Sequence, residues 1–211
     1  MVKLFVVRHA ESTWNPEGRY QGLLDPELSQ RGLQQARLLA EALRNVPFDV
    51  IYSSPLRRTY LTALEIAKGR DVHVVKDERI REIDHGVWSG LTVEEVKRRF
   101  PETFRMWMEE PHRTSFEGGE SLTDVYRRVA DFVEEIKRKH QHQTVAVVSH
   151  TVPIRAMYCY LLGVDLSRFW SFGCDNASYS VIHLEENRNV IQKLNITCHL
   201  GEYYVEAHSA L

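Results

Sequence analysis

The chain has 211 residues, 43% hydrophobic and 27% charged, with a formal net charge of -2. That balance excludes a low-complexity disordered polymer and argues against a general nucleic-acid binder, which needs a basic surface. No apolar run reaches membrane-spanning length, and the first residues lack the apolar region and cleavage site of a secretion signal, so a cytoplasmic protein is expected.

The first predicted strand, residues 3–7, is an apolar run that stops at Arg8-His9. Ser29 then caps a helix whose apolar stripe is Leu33, Ala36, Ala40 and Leu43. A strand at 50–52 leads into Ser54-Pro55, which reads as a helix start, serine as the cap and proline at the first helical position, with Gly69 at the far end. After a short strand at 73–75, Thr92 and Glu95 have the spacing of a capping box, and Pro101 lies just beyond that helix. Ser121 with Asp124 opens the clearest amphipathic helix, its apolar face carrying Leu122, Val125, Tyr126, Val129, Phe132, Val133 and Ile136. The strand at 144–149 again stops at a histidine, His150, and Thr151 to Pro153 starts another helix. Strands at 179–184 and 190–196, divided by Asn187-Arg188-Asn189, form a hairpin.

This alternation predicts an α/β fold: a three-layer sandwich with helices on both faces of a mainly parallel sheet and an antiparallel edge. The length suits one domain over 1–211, and no repeat or linker divides the chain. Cys159, Cys174 and Cys198 lack C-x-x-C spacing and read as free thiols, and His140-Gln141-His142 reads as a solvated turn, so no metal site is expected.

Three junctions point at one sheet edge: Arg8-His9, the segment 53–58, and His150. Ligands of open α/β sheets bind at the carboxyl ends of the strands, and the helix starts near Arg58 and Thr151 add free amides suited to an anion. A phosphate monoester fits. Arg8, Arg58 and a protonated His150 would neutralise it, a neutral His9 would attack phosphorus, and Glu82, in the loop Arg81-Glu82-Ile83-Asp84-His85-Gly86, would protonate the leaving oxygen. Rival chemistries lack their residues. No arginine lies six positions after any cysteine, no paired aspartates follow the first strand, and H-E-x-x-H, phosphate-loop and G-x-G-x-x-G patterns are absent.

Arg8-His9-Ala10-Glu11-Ser12 with Asn15, Tyr20-Gln21-Gly22, Leu28-Ser29-Gln30-Arg31-Gly32, Ser53 through Thr59, Glu82 and Val148-Ser149-His150 together resemble the histidine phosphatase superfamily, in order and over nearly the whole chain. The resemblance implies a phosphoglycerate mutase-like fold, phosphorylation of His9, a phosphate held by Arg8, Arg58 and His150, a pocket lined by Asn15, Gln21 and Gly22, and Glu82 as acid/base. The segments Glu82 to Gly86, Trp170 to Asn176 and Asn195 to Gly201 look most like the bacterial metal-independent phosphoserine phosphatases. That finer likeness implies L-phosphoserine as substrate, a place in serine formation, no cofactor, and a homodimer or a heterodimer with a homologous subunit. His85, Thr151, His199, Leu200 and Gly201 are the further substrate contacts expected. Two positions depart from the common pattern: Ala10 replaces a frequent glycine, and Trp88-Ser89-Gly90 lacks a frequent glutamate. Phosphoglycerate mutases are the nearest alternative, but the segment 101–119 looks too short for their substrate-enclosing insertion; a non-catalytic subunit is the other, although the full residue set is retained.

Overall fold

The computed structural model describes residues 1–207. Six strands, β1 (Val2–Arg8), β2 (Val50–Ser53), β3 (Val74–Lys76), β4 (Thr144–Ser149), β5 (Tyr179–Leu184) and β6 (Asn189–Ile196), form one sheet in the order β3-β2-β4-β1-β5-β6. The β1–β4, β2–β4 and β2–β3 pairs are parallel; β1–β5 and β5–β6 are antiparallel. Helices α1 (Gln30–Ala42) and α2 (Arg57–Ala67) cover one face. The other is covered by α5 (Leu122–Lys139) and α6 (Thr151–Leu162), reached through α3 (Val93–Arg99) and α4 (Pro101–Glu109). The three-layer α/β sandwich with an antiparallel edge is therefore the observed fold.

Strand alternation sorts the core into two halves. Leu4, Val6, Val145 and Val147 pack with Val129, Phe132 and Met157 beneath α5 and α6. Phe5, Val7, Ala146 and Val148 pack with Ala36, Leu39, Ala63 and Ile66 beneath α1 and α2. Because β1 and β4 are central and covered on both faces, their sequences read as unbroken apolar runs rather than alternating ones.

Ser29 accepts the Gly32 amide at the start of α1, and both capping boxes, Thr92 with Glu95 and Ser121 with Asp124, are formed. The start of α2 differs from expectation. The helix begins at Arg57 after Leu56, whose side chain cannot cap it, and the Arg57 amide is instead taken by Asp25 Oδ1 at 2.8 Å, from a distant loop. Pro101 also does more than stop a helix. As the first residue of α4 it loses no needed donor there, so α4 follows α3 directly across Phe100. His140 is tied to the Tyr52 hydroxyl at 2.9 Å and to Gln143 at 2.6 Å rather than left to solvent. No helix among the described residues is long and apolar enough to cross a membrane.

Candidate active site

The register of the two central strands brings the histidines together. Arg8 lies opposite Ser149, and the His9 amide donates to the Ser149 carbonyl at 3.0 Å, so both chains leave the sheet side by side. The two imidazole centroids are 5.1 Å apart. On the other flank of β4 the Ser54 amide donates to the Val148 carbonyl, which brings the segment before α2 to the same edge. The N-termini of α2 and α6 also open there with their positive dipole ends, although the first amide of α2, that of Arg57, is already taken by Asp25 Oδ1 at 2.8 Å.

His9 is buried, and its Nδ1 lies 2.7 Å from the Ala10 carbonyl. A carbonyl only accepts, so the proton sits on Nδ1 and Nε2 carries the lone pair. Burial, reinforced by Arg58 and Arg8, holds the pKa of His9 well below its ordinary range. The imidazole is neutral at physiological pH, and its free nitrogen is nucleophilic.

His150 is fully buried beside it, behind the residues that line the cleft. Its Nε2 is 2.8 Å from the Ser54 hydroxyl, which also accepts a long 3.4 Å bond from the Leu56 amide. Nδ1 is buried without a protein partner. Burial, with Arg58, His9 and Arg8, pushes this imidazole well below its ordinary range too. The expectation of a protonated His150 is corrected for the free protein: burial first, and the neighbouring Arg58 guanidinium next, disfavour the charged ring.

Arg58 is 1% exposed, donates to the carbonyls of Leu24 at 2.8 Å and Gly22 at 3.0 Å, and lies 3.8 Å from Asp25. Burial lowers its pKa to about 10, which leaves it charged at neutral pH. Gly22 makes this possible. It has φ +52°, and a side chain there would meet Ser89 Oγ at 2.9 Å and the His85 amide at 3.3 Å. Arg8 donates to the Cys174 carbonyl at 2.6 Å. The Nε atoms of Arg8 and Arg58 are both buried and unpartnered. Unpaired buried donors carry a desolvation cost of about 1–3 kcal/mol each or more, and an entering anion removes it.

Glu82 is buried, with Oε1 accepting its neighbour's Ile83 amide at 2.9 Å. Burial raises its pKa, against the opposing pull of that amide, Arg58, Arg8 and Arg128. A carboxyl so placed can hold a proton at a higher pH than an exposed glutamate and release it to a nearby alkoxide.

Arg8, His9, Asn15, Gln21, Gly22, Arg58, Glu82, His85 and Thr151 all line one cleft. Asn15 is oriented through its Oδ1, which accepts from the Ser12 amide and hydroxyl. Burial drives His85 down to about 3, so it is neutral, packed between Tyr20 and Phe116 with Nδ1 unpartnered. His199, Leu200 and Gly201 lie outside the cleft lining. His199 donates to the Ala177 carbonyl, Leu200 plugs the core under α1, and Gly201 turns the chain with φ +50°, so the structure does not bring this stretch together with the other expected contact residues. Tyr20, Trp107, Val152 and Arg19 complete the wall and were not singled out by sequence. Tyr20 belongs to the Tyr20-Gln21-Gly22 motif without having been named as a pocket residue, and nothing in the sequence around Trp107 points to a cleft, because α4 brings it there from a distance.

A model of the histidine phosphatase superfamily (branch 1) matches residues 4–197. Phosphoserine phosphatase 1 of Hydrogenobacter thermophilus is 70% identical over 211 residues, covering 100% of both chains. The metal-independent phosphoserine phosphatase of Arabidopsis thaliana is 34% identical over 207 residues, 95% of this chain and 84% of that one. Among solved structures, a mutant phosphoserine phosphatase of Entamoeba histolytica in complex with phosphoserine superposes with a TM-score of 0.84 at 30% identity, covering 95% of this chain and 100% of that chain.

Proposed function

Since the chain belongs to the histidine phosphatase superfamily, branch 1, we propose that it hydrolyses phosphomonoesters through a phosphohistidine on His9, with L-phosphoserine as substrate and without a metal ion. The observation that carries this reading is the fixed tautomer of His9, whose free Nε2 sits in a cleft with two buried arginines. In the first step Nε2 attacks phosphorus, Glu82 gives its proton to the serine oxygen, and the P–O bond breaks. Arg8 and Arg58 hold the non-bridging oxygens, and the N–H of His150 is assigned to the same group. In the second step Glu82, now a carboxylate, takes a proton from water as the water oxygen attacks. The P–N bond breaks, its electron pair returns to Nε2, and phosphate is released.

The choice of phosphoserine rests on the relatives' names and on a cleft walled by Tyr20, His85, Trp107 and Val152, which suits a small leaving alcohol. Neutral His85 faces the amino-acid end in this reading. The open edge of β6 is the homodimer contact we propose; a doubled mass in light scattering supports it and a monomeric mass removes it.

The test supplies purified protein, in EDTA, with phosphoserine, with 3-phosphoglycerate plus a bisphosphoglycerate primer, and with an aryl phosphate. Phosphoserine is expected to give the highest kcat/KM, unchanged by EDTA. A strict metal requirement refutes the mechanism, and faster isomerisation of 3-phosphoglycerate transfers the assignment to a mutase.

A further inference from the structure

Behind the cleft, one ion pair grips the backbone of the loop that carries Glu82. Arg128, on the second turn of α5, donates through Nη1 to the carbonyls of Arg79 at 2.8 Å and Arg81 at 2.7 Å. Its Nη2 donates to the carbonyl of Glu82 itself at 3.1 Å and to Glu120 Oε2 at 3.1 Å, and Nε donates to Glu120 Oε1 at 3.1 Å. Glu120 closes the bracket from the other end. Its Oε2 accepts the Asp84 amide at 2.9 Å, and its own amide donates to the Asp84 carbonyl at 2.9 Å. The strap before it is pressed against the same loop, since a Cβ at Gly119 would fall 2.2 Å from the Asp84 carbonyl oxygen. Neither Arg128 nor Glu120 lines the cleft.

Three carbonyls converging on one guanidinium fix the path of the chain across residues 79–82, and the acidic partner fixes residue 84. A general acid must stay within hydrogen-bond reach of the leaving oxygen, and small misplacements are expensive in rate. Lysine cannot replace the planar fork, because one ammonium does not span three carbonyls and a bidentate carboxylate in these directions. We infer that Arg128, oriented by Glu120, is a positioning residue for Glu82, acting on proton donation to the leaving group and not on phosphate binding. This rests on the assignment of Glu82 as the acid in the proposed function.

Proton donation is needed when the leaving group is an alkoxide and hardly at all when it is p-nitrophenolate, so the two substrates separate positioning of the acid from general damage. The comparison uses kcat/KM, which reports phosphorylation of His9, for phosphoserine and p-nitrophenyl phosphate in Arg128→Lys, Glu120→Gln, Glu82→Gln and the Arg128→Lys/Glu82→Gln double variant. Arg128→Lys and Glu120→Gln are each expected to lower the phosphoserine value about 10- to 100-fold while p-nitrophenyl phosphate stays within about 3-fold. In the Glu82→Gln background Arg128→Lys should add less than about 3-fold, because the residue it positions is already gone. Equal losses on both substrates, or full multiplicative loss in the double variant, overturn the inference. If Arg128→Lys fails to fold, the nearly isosteric Glu120→Gln carries the same comparison. Failure of the underlying reading looks different: Glu82→Gln would itself reduce both substrates equally.

Discussion

His9→Ala is expected to lower kcat by about 10⁴-fold or more, the scale seen when a covalent nucleophile is removed from a preorganised site. No neighbouring group is placed to take over. His150 spends one ring nitrogen on Ser54, and Glu82 has one oxygen on the Ile83 amide. Neither has the combination His9 has, a proton locked on Nδ1 by the Ala10 carbonyl and a bare Nε2 in the cleft. Phosphate affinity should survive far better than turnover, since Arg8 and Arg58 are anchored by the carbonyls of Cys174, Leu24 and Gly22 rather than by His9. Steady-state assay beside equilibrium phosphate binding checks both halves. A loss of less than about 10-fold would remove covalent catalysis by His9.

The second large effect is on stability at mild acidity. His9, His85 and His150 are buried and held below the ordinary imidazole value of 6.5, by burial first and by Arg58 in each case, and His199, lowered by burial against its bond to the Ala177 carbonyl, adds to the same trend. The unfolded chain takes up these protons as pH falls below 6.5, whereas the folded chain does not, so folding stability falls with pH. Glu82 works in the opposite sense. Its folded pKa is raised, so the folded state binds the extra proton between the ordinary carboxyl value of 4.5 and its own, offsetting up to one of the imidazole protons. The salt-bridged carboxylates, held below their ordinary values, release stability only at lower pH still. Stability should therefore fall with a slope approaching about 3–4 kcal/mol per pH unit between pH 6.5 and about 5. Denaturant midpoints measured across that range check the slope, and His9→Ala should flatten it by about 1.4 kcal/mol per unit, one proton's worth. A flat profile would mean that the imidazoles are solvated and chargeable, contrary to the geometry.

Much of this was legible in the sequence for identifiable reasons. Strands β1 and β4 announce themselves because burial on both faces leaves unbroken apolar runs from Leu4 to Val7 and from Val145 to Val148. Helices α1, α3 and α5 are announced by caps that bond within three residues, a purely local signal. Ser54-Pro55 has the same local look, yet α2 starts later, its first amide taken by Asp25, 32 residues away, while Ser54 Oγ meets His150, 96 residues away. A contact of that range leaves no mark on a short window. The charge of His150 was misread for a related reason: the sequence shows an imidazole near arginines but not that burial makes a second cation beside them too costly. In the C-terminal stretch the polar residues suggested a substrate contact, but Leu200, the apolar residue among them, decides its placement by filling the core. Arg128 sits on the polar side of an amphipathic helix, where a sequence reading assigns solvent. The structure spends it on three backbone carbonyls instead.

The most direct measurement of the central claim is rapid acid-free quenching of the protein with phosphoserine carrying labelled phosphorus. Turnover through His9 predicts a burst of label on the protein, stable to base and lost in acid as a phosphoramidate is, mapping to the peptide that contains His9 and absent in His9→Ala. Absence of any protein-bound label during turnover, or label on a different residue, would contradict it.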